Sequence, residues 1–394
     1  MTLVLDLTAP GPRMHALVVG VGDYPHCRDG SSEERPPSTA ASIGDNYSQL
    51  LSTPASALAV AEWLLEHQRN DPVAPLGSLD VLVSARTTAS VNGTEVERAC
   101  HDNLRPRILN WLNRCNEHPD NVGLFFFTGH GHALETDQLL LLDDFATPGR
   151  PAFDGAFPLR NTHAAFLAAC TARTVCFFVD ACRTDAVEGL QSTAPLGRAL
   201  LDSPARLPGA RDAPLILSTS ADASAYGDPE GVTRFTSALL GALSGLAAER
   251  RAPDGAWVVT TDLRPALQKL MNPPRDTGEP ERQPQYPQET GTPLGGVIRQ
   301  LPGPPQVTFT LGCQPREALL DAHLELTPFG RPAERLTRSP RPGRWRNDAP
   351  AGHYDYSATF TAASSYARAD DRLFLVPPHL DYDMPCRAIP QEPA

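Results

Sequence analysis

Two apolar runs constrain this chain more than any other feature: "LFFFTGHGHA" at 124–133 and "TVCFFVDACRTD" at 174–185. Each stops abruptly on a reactive side chain, His130 in the first and Cys182 in the second. A short apolar run bounded by small or turn residues predicts a strand buried on both faces, as in a parallel sheet covered by helices. In open sheets of that kind, ligands sit beyond the carboxyl ends of the strands. The pattern therefore predicts that His130 and Cys182 reach the same sheet edge, where a thiol and an imidazole can act as a nucleophile and its base.

The rest of the first 271 residues alternates strands and helices. Buried strands are expected at 14–22, 79–85 and 213–220, and a short strand or hairpin arm at 138–145. Helical spacing covers 56–68, 93–115, 158–172, 234–249 and 262–271, with Pro106 expected to kink or divide the second of these. This order predicts an α/β domain over 1–271: a mostly parallel sheet flanked by helices on both faces. Residues 23–52 read as a polar surface loop, and 186–212 as a connection too long for a simple turn, hence functional or disordered. A Pro-rich linker is expected at 272–305. Beyond it, 306–394 alternates polar and apolar residues with turns between, the pattern of a small antiparallel, sandwich-like β domain.

Composition excludes several function classes. A formal charge of −12 leaves no basic stripe to neutralise phosphates, so a nucleic-acid partner is not expected. No stretch approaches the roughly 18 uninterrupted apolar residues of a membrane helix, so no membrane partner is expected. The first residues lack a basic start followed by an apolar core and cleavage site, and a cytoplasmic location is the expectation. Eight cysteines are scattered without CxxC pairs, which argues against zinc and for reduced thiols. Lys269 is the only lysine, so any basic cleavage site in this chain is an arginine.

With "VVGVGDY", "FFTGHG", "LLLLDDF", "FFVDACR" and "STSADASAYGDPEGVTRFTSALL" in this order, and His130 and Cys182 separated by 52 residues, the region 14–250 resembles the caspase/metacaspase superfamily of cysteine peptidases, most of all its bacterial members. The resemblance implies a caspase-like sheet, Cys182 as nucleophile and His130 as base. It implies an oxyanion hole made by the backbone N–H groups of Gly131 and Cys182. Caspases carry a glutamine two residues before the nucleophile; here that position is Asp180. A carboxylate there favours a cationic side chain, ideally an arginine, with Ser218 and Asp222 as further pocket candidates. The implied substrate is a protein or peptide with a basic cleavage site. One departure is that metacaspases usually carry a pocket aspartate on the first helix, where this chain has "TPASAL" at 53–58. Family members are often cut between the cysteine strand and the next, which makes Arg198, Arg206 and Arg211 candidates for self-cleavage. The resemblance further suggests an activating partner protein and a role in bacterial defence or cell death. Calcium dependence occurs in metacaspases, but no oxygen-ligand cluster is legible here, so no metal or cofactor is expected and calcium enters only through the resemblance.

Plainer roles account for the neighbouring reactive residues. Cys170 and Cys176 read as packed small hydrophobes. His132 is a poorer base candidate than His130, and Asp143 and Asp144 read as strand-terminating residues. "GVGDY" is a glycine turn without the rest of a nucleotide-binding fingerprint. A catalytically silent caspase-fold scaffold, acting through its β domain, is the main alternative function. Other acyl-transfer chemistry on a doubly wound sheet is disfavoured by the order of histidine before cysteine.

Overall fold

The computed structural model describes residues 3–7, 10–32, 39–134, 137–182, 197–202, 211–219, 231–251, 254–273, 283–291, 293–362 and 364–389. The chain divides into two units, residues 1–240 with 260–300, and residues 241–259 with 301–394.

The first unit is built on seven strands: β1 (Leu3–Asp6), β2 (Met14–Val21), β3 (Leu76–Ser84), β4 (Val122–Gly129), β5 (Thr174–Ala181), β6 (Leu215–Leu217) and β7 (Gln288–Thr290). They lie in the order β1-β3-β2-β4-β5-β6-β7. The five central strands are parallel, and the two edge strands run antiparallel to their neighbours. Burial on both faces explains their composition: β2, β3 and β4 are buried at every position. Residues 288–290 fall inside the stretch expected as a linker, yet they complete the sheet as its last strand.

Helices cover both faces. On one, Trp111 of α2 (His101–Cys115) stacks on Phe166 of α3 (Leu159–Ala169), 4.1 Å between ring centres, above Phe125 and Phe177 of the sheet. On the other, α1 (Ser52–Trp63) packs against β2, and the Thr53 hydroxyl donates to the Val21 carbonyl at 2.7 Å. Pro106 does not divide α2, which runs unbroken from His101 to Cys115; residues 94–95 instead form a short strand, so the helix starts later than its spacing suggested. The helix after β6, α4 (Arg234–Gly241), is shorter than expected, and Gly245 adopts φ +127°, where a left-handed residue ends helical winding. A last helix, α5, spans Arg264–Met271. Among the described residues no helix is long and apolar enough to cross a membrane.

The second unit contains two sheets that enclose a common core. One orders strands 345–350, 306–314 and 379–385; the other orders 336–338, 322–328, 352–360 and 369–375. Leu324, Leu326, Tyr354, Tyr356 and Ala358 turn inward to meet Phe309, Leu311 and Trp345, while the residues between them face outward. This sandwich is not wholly antiparallel, because 306–314 pairs with 379–385 in parallel.

Candidate active site

Strands β4 and β5 are parallel neighbours in a register that pairs Thr128 with Asp180 and Gly129 with Ala181. His130 and Cys182 each follow the last of these pairs by one residue. Both residues stand where their strands leave the sheet at its carboxyl edge. Cys182 carries a half-buried thiol.

The imidazole of His130 is held from several sides. Its Nε2 lies 2.6 Å from the backbone carbonyl of Ser48. A carbonyl can only accept, so Nε2 carries the hydrogen and Nδ1 is left as the basic atom. The rings of Tyr24 and Tyr47 flank it, with centres at 4.9 and 5.3 Å. Burial pushes His130 down to about 4, against a smaller upward pull from the Ser48 carbonyl. The ring is therefore neutral at neutral pH, the form that accepts a proton rather than the imidazolium of a preformed ion pair.

Gly131 opens a short antiparallel ribbon in which Gly131–Ala133 pairs with Gln138–Leu141. Direct bonds join Leu141 N–H to the His130 carbonyl (3.0 Å) and Leu134 N–H to the Asp137 carbonyl (2.9 Å). Bonded and non-bonded pairs alternate in such a ladder, so Gly131 and Leu140 form a non-bonded pair and the Gly131 N–H points away from the ribbon. A side chain at 131 would not fit: its Cβ would lie 2.4 Å from the Cys182 carbonyl oxygen and 2.3 Å from Gln138 Nε2. Gln138 Nε2 itself donates to the Cys182 carbonyl at 2.8 Å.

Asp180 sits 2% exposed at the end of β5. Its Oδ2 accepts from the hydroxyls of Thr233 and Thr236, the second at 3.1 Å. Among the described residues, no direct hydrogen bond reaches its buried Oδ1. Burial pushes the carboxyl up to about 6, against the pull of the Thr233, Ser218 and Thr236 hydroxyls. Ser56 of α1 joins the same network, since its Oγ accepts the Thr233 N–H at 2.9 Å.

Residues 93–292, which contain all of these groups except Ser48, Ser56, Tyr24 and Tyr47, match the family model of the caspase domain, Peptidase C14. The chain belongs to the caspase-domain family. It is 30% identical over 251 residues, 57% of this chain and 70% of the other, to an uncharacterized protein, y4kE, of Sinorhizobium fredii. Among solved structures it is similar to caspase-1 from Spodoptera frugiperda, with 14% identity, 76% of this chain and 96% of that one covered, and a TM-score of 0.40. A pro-form of the same insect caspase gives 15% identity, coverage of 75% and 99%, and a TM-score of 0.36. Likeness at that level says nothing about activity.

The fold is caspase-like, a mostly parallel sheet between helices, with additional sheets towards the C-terminus. Within the caspase domain, the structure brings His130, Gly131, Cys182, Asp180 and Ser218 to one end of β4, β5 and β6. Ser218 is fully buried, and its N–H donates to the Val179 carbonyl at 2.9 Å. Asp222 and Arg206 lie outside the described residues. Arg198 stands 3.6 Å from Asp102, and Arg211 donates to the carbonyls of Cys170 (2.6 Å) and Ala172 (3.3 Å), so both side chains are engaged away from the site.

His132 turns to the Tyr47 hydroxyl, 2.9 Å from its Nδ1. Asp144 accepts the His101 N–H at the start of α2. Asp143 and Asp23 are clamped together by Arg98 at 2.7 and 2.8 Å, which uses the charge a cation would need. Among the described residues, no group of three or more His, Cys, Asp or Glu side chains is arranged to hold a metal ion.

Sequence reading missed Ser48, Tyr24, Tyr47 and Gln138. Only the turn "GVGDY" signalled any of them, and it named a turn rather than a contact with the histidine.

Proposed function

We propose that this caspase-family chain is a cysteine endopeptidase that cleaves protein or peptide substrates after a basic residue, arginine above all. The observation that supports the reading is the β4/β5 register, in which His130 and Cys182 each follow the last pair by one residue, together with the Ser48 carbonyl at His130 Nε2, which leaves Nδ1 free to act as the base.

In this scheme Nδ1 of His130 takes the proton from the Cys182 thiol as sulfur attacks the scissile carbonyl carbon. The carbonyl π electrons move onto oxygen, which accepts from the N–H groups of Gly131 and Cys182; each such donor contributes roughly 3 kcal/mol. Collapse of the adduct breaks the C–N bond, and the amine leaves with the proton held by His130. Water, deprotonated by the same imidazole, then attacks the thioester and releases the acid and the thiol.

Asp180 supplies the preference for a cation. Its Oδ2 accepts from two threonine hydroxyls, and its Oδ1, which no described residue bonds directly, is the acceptor proposed for a guanidinium N–H. This pocket differs from the expected metacaspase pattern in having Ser56, an uncharged residue, contributed by the first helix. Cytoplasmic action, activation by self-cleavage within 186–212 or by a partner, and a part in bacterial defence belong to the same proposal.

The test is hydrolysis of a fluorogenic peptide library varied at the cleaved residue. Arginyl peptides should be cut fastest, and Cys182→Ala should cut none. A preference for acidic residues would sink the pocket assignment, and full activity in Cys182→Ala would sink the mechanism.

A further inference from the structure

Tyr24 lies at the end of the glycine turn after β2, fully buried, and its hydroxyl occupies an unusual place. In the ribbon beside the site, Gly131 pairs with Leu140, so the next pair outward is His130 with Leu141. An antiparallel bonded pair exchanges two N–H···O bonds. Here only one is direct, from Leu141 N–H to the His130 carbonyl at 3.0 Å. The other is interrupted: His130 N–H donates to Tyr24 Oη at 2.8 Å, and Oη donates to the Leu141 carbonyl at 3.3 Å. A direct ladder bond would bring that nitrogen and oxygen to about 2.9 Å. The inserted oxygen holds them apart, next to the Cα that carries the imidazole.

Three surrounding features keep the hydroxyl in place. Burial drives the Tyr24 phenol well above its ordinary range, so it stays protonated and can both accept and donate. The backbone of Tyr24 is tied to Gln49, whose Oε1 accepts its N–H at 2.8 Å and whose Nε2 donates to its carbonyl at 3.0 Å. Gly129 leaves room beneath, since a Cβ there would come within 2.9 Å of Tyr24 Oη. Gln49 follows Ser48, whose carbonyl bonds His130 Nε2, so one short segment fixes both the wedge and the imidazole.

We infer that the Tyr24 hydroxyl is a wedge in the His130–Leu141 ladder, a positioning group that sets where the imidazole stands relative to Cys182. The inference rests on the reading of His130 as the base. Without the hydroxyl the ladder closes directly, and His130 is drawn towards Leu141 and away from its working position. Substrate binding does not involve this contact, so the effect falls on kcat rather than KM.

The test compares wild type, Tyr24→Phe, Gly129→Ala and the double variant on an arginyl fluorogenic peptide, with Ile108→Val of α2 as a remote core truncation. Tyr24→Phe should lower kcat about 10- to 100-fold with KM within about twofold, the scale of a displaced catalytic group. Gly129→Ala, which crowds the hydroxyl without removing it, should also lower kcat, and it keeps the test open should Tyr24→Phe not fold. In the double variant the added Cβ no longer meets a hydroxyl and keeps only its 3.1 Å contact with the Phe127 ring, so the loss in kcat should be clearly smaller than the product of the two single losses. Ile108→Val should leave kcat unchanged. Retention of kcat within about threefold in Tyr24→Phe, or additive losses in the double variant, overturns the wedge while leaving the protease reading intact. A wild type with no Cys182-dependent hydrolysis of any peptide overturns both.

Discussion

Replacing Asp180 by asparagine should change specificity, pH dependence and stability together, because the proposed mechanism assigns all three to one buried carboxylate. At a carboxyl pushed up to about 6, ionised and protonated forms stand at about ten to one at pH 7 and one to ten at pH 5. The pH dependence of kcat/KM reports the free enzyme, so kcat/KM for an arginyl peptide should fall about tenfold between pH 7 and pH 5. His130, held down at about 4, stays basic across that window and adds no limb of its own. Asp180→Asn keeps an acceptor oxygen but removes the charge. It should lose about 100-fold in kcat/KM for arginyl peptides at pH 7, about 3 kcal/mol for the charge-assisted bonds given up. The limb between pH 5 and pH 7 should vanish with it.

Stability moves the other way. A folded-state pKa raised above the unfolded value favours folding below about pH 4, and the benefit is lost as pH rises through 6. The ionised carboxylate therefore costs the wild type up to about 3 kcal/mol at neutral pH, and Asp180→Asn should recover part of it. Steady-state kinetics from about pH 4.5 to 8, a range that brackets the Asp180 carboxyl and stays above His130, and thermal unfolding at pH 7 are the assays. Arginyl activity within threefold of wild type, or an acid limb unchanged in the variant, would refute the assignment of Asp180 to the pocket.

Three further outcomes follow from the same geometry. Gly131→Ala should abolish measurable turnover in a folded protein, because its Cβ would meet the Cys182 carbonyl at 2.4 Å; normal turnover would mean that this approach is not kept in solution. Gln138→Leu should lower kcat about tenfold by releasing the Cys182 carbonyl from its 2.8 Å bond, about the value of one buried hydrogen bond; an unchanged kcat would show that the nucleophile is oriented without it. Self-cleavage is expected after one or more of Arg198, Arg206 and Arg211, and N-terminal sequencing of fragments that disappear in Cys182→Ala checks the position; wild type that stays intact and fully active would rule out a processing requirement.

The legible part of this molecule is the part governed by burial. A strand covered on both faces has to be apolar throughout, so β4 and β5 announced themselves, and the polar residue that ends each one marked the sheet edge. The parallel order followed from helices spaced between them. Strand β7 was hidden because Gln288, Glu289 and Thr290 form a half-buried edge, where no apolar run is required. The parallel pairing of 306–314 with 379–385 was equally hidden, since alternation reveals which face of a strand is buried but not the direction of its partner.

The support of the histidine was illegible for a different reason. Ser48 and Tyr24 lie 82 and 106 residues from His130, and one of them acts only through its backbone carbonyl, which any residue possesses. Gln138 sits 44 residues before Cys182 within an apolar hairpin, where its amide had no sequence signal to distinguish it. Asp180 stood out as a pocket candidate by its place two residues before the thiol, whereas its contacts with Thr233 and Thr236, and the link to Ser56, came into view only when the fold closed around it.

The most direct measurement is a structure of the protein treated with an arginyl peptide aldehyde, whose thiol adduct mimics the tetrahedral intermediate. The account predicts a covalent bond from Cys182 Sγ to the aldehyde carbon, the new oxygen within hydrogen-bond distance of the Gly131 and Cys182 N–H groups, and the guanidinium against Asp180. An aldehyde that leaves Cys182 unmodified, or an adduct whose oxygen faces away from Gly131, would contradict it.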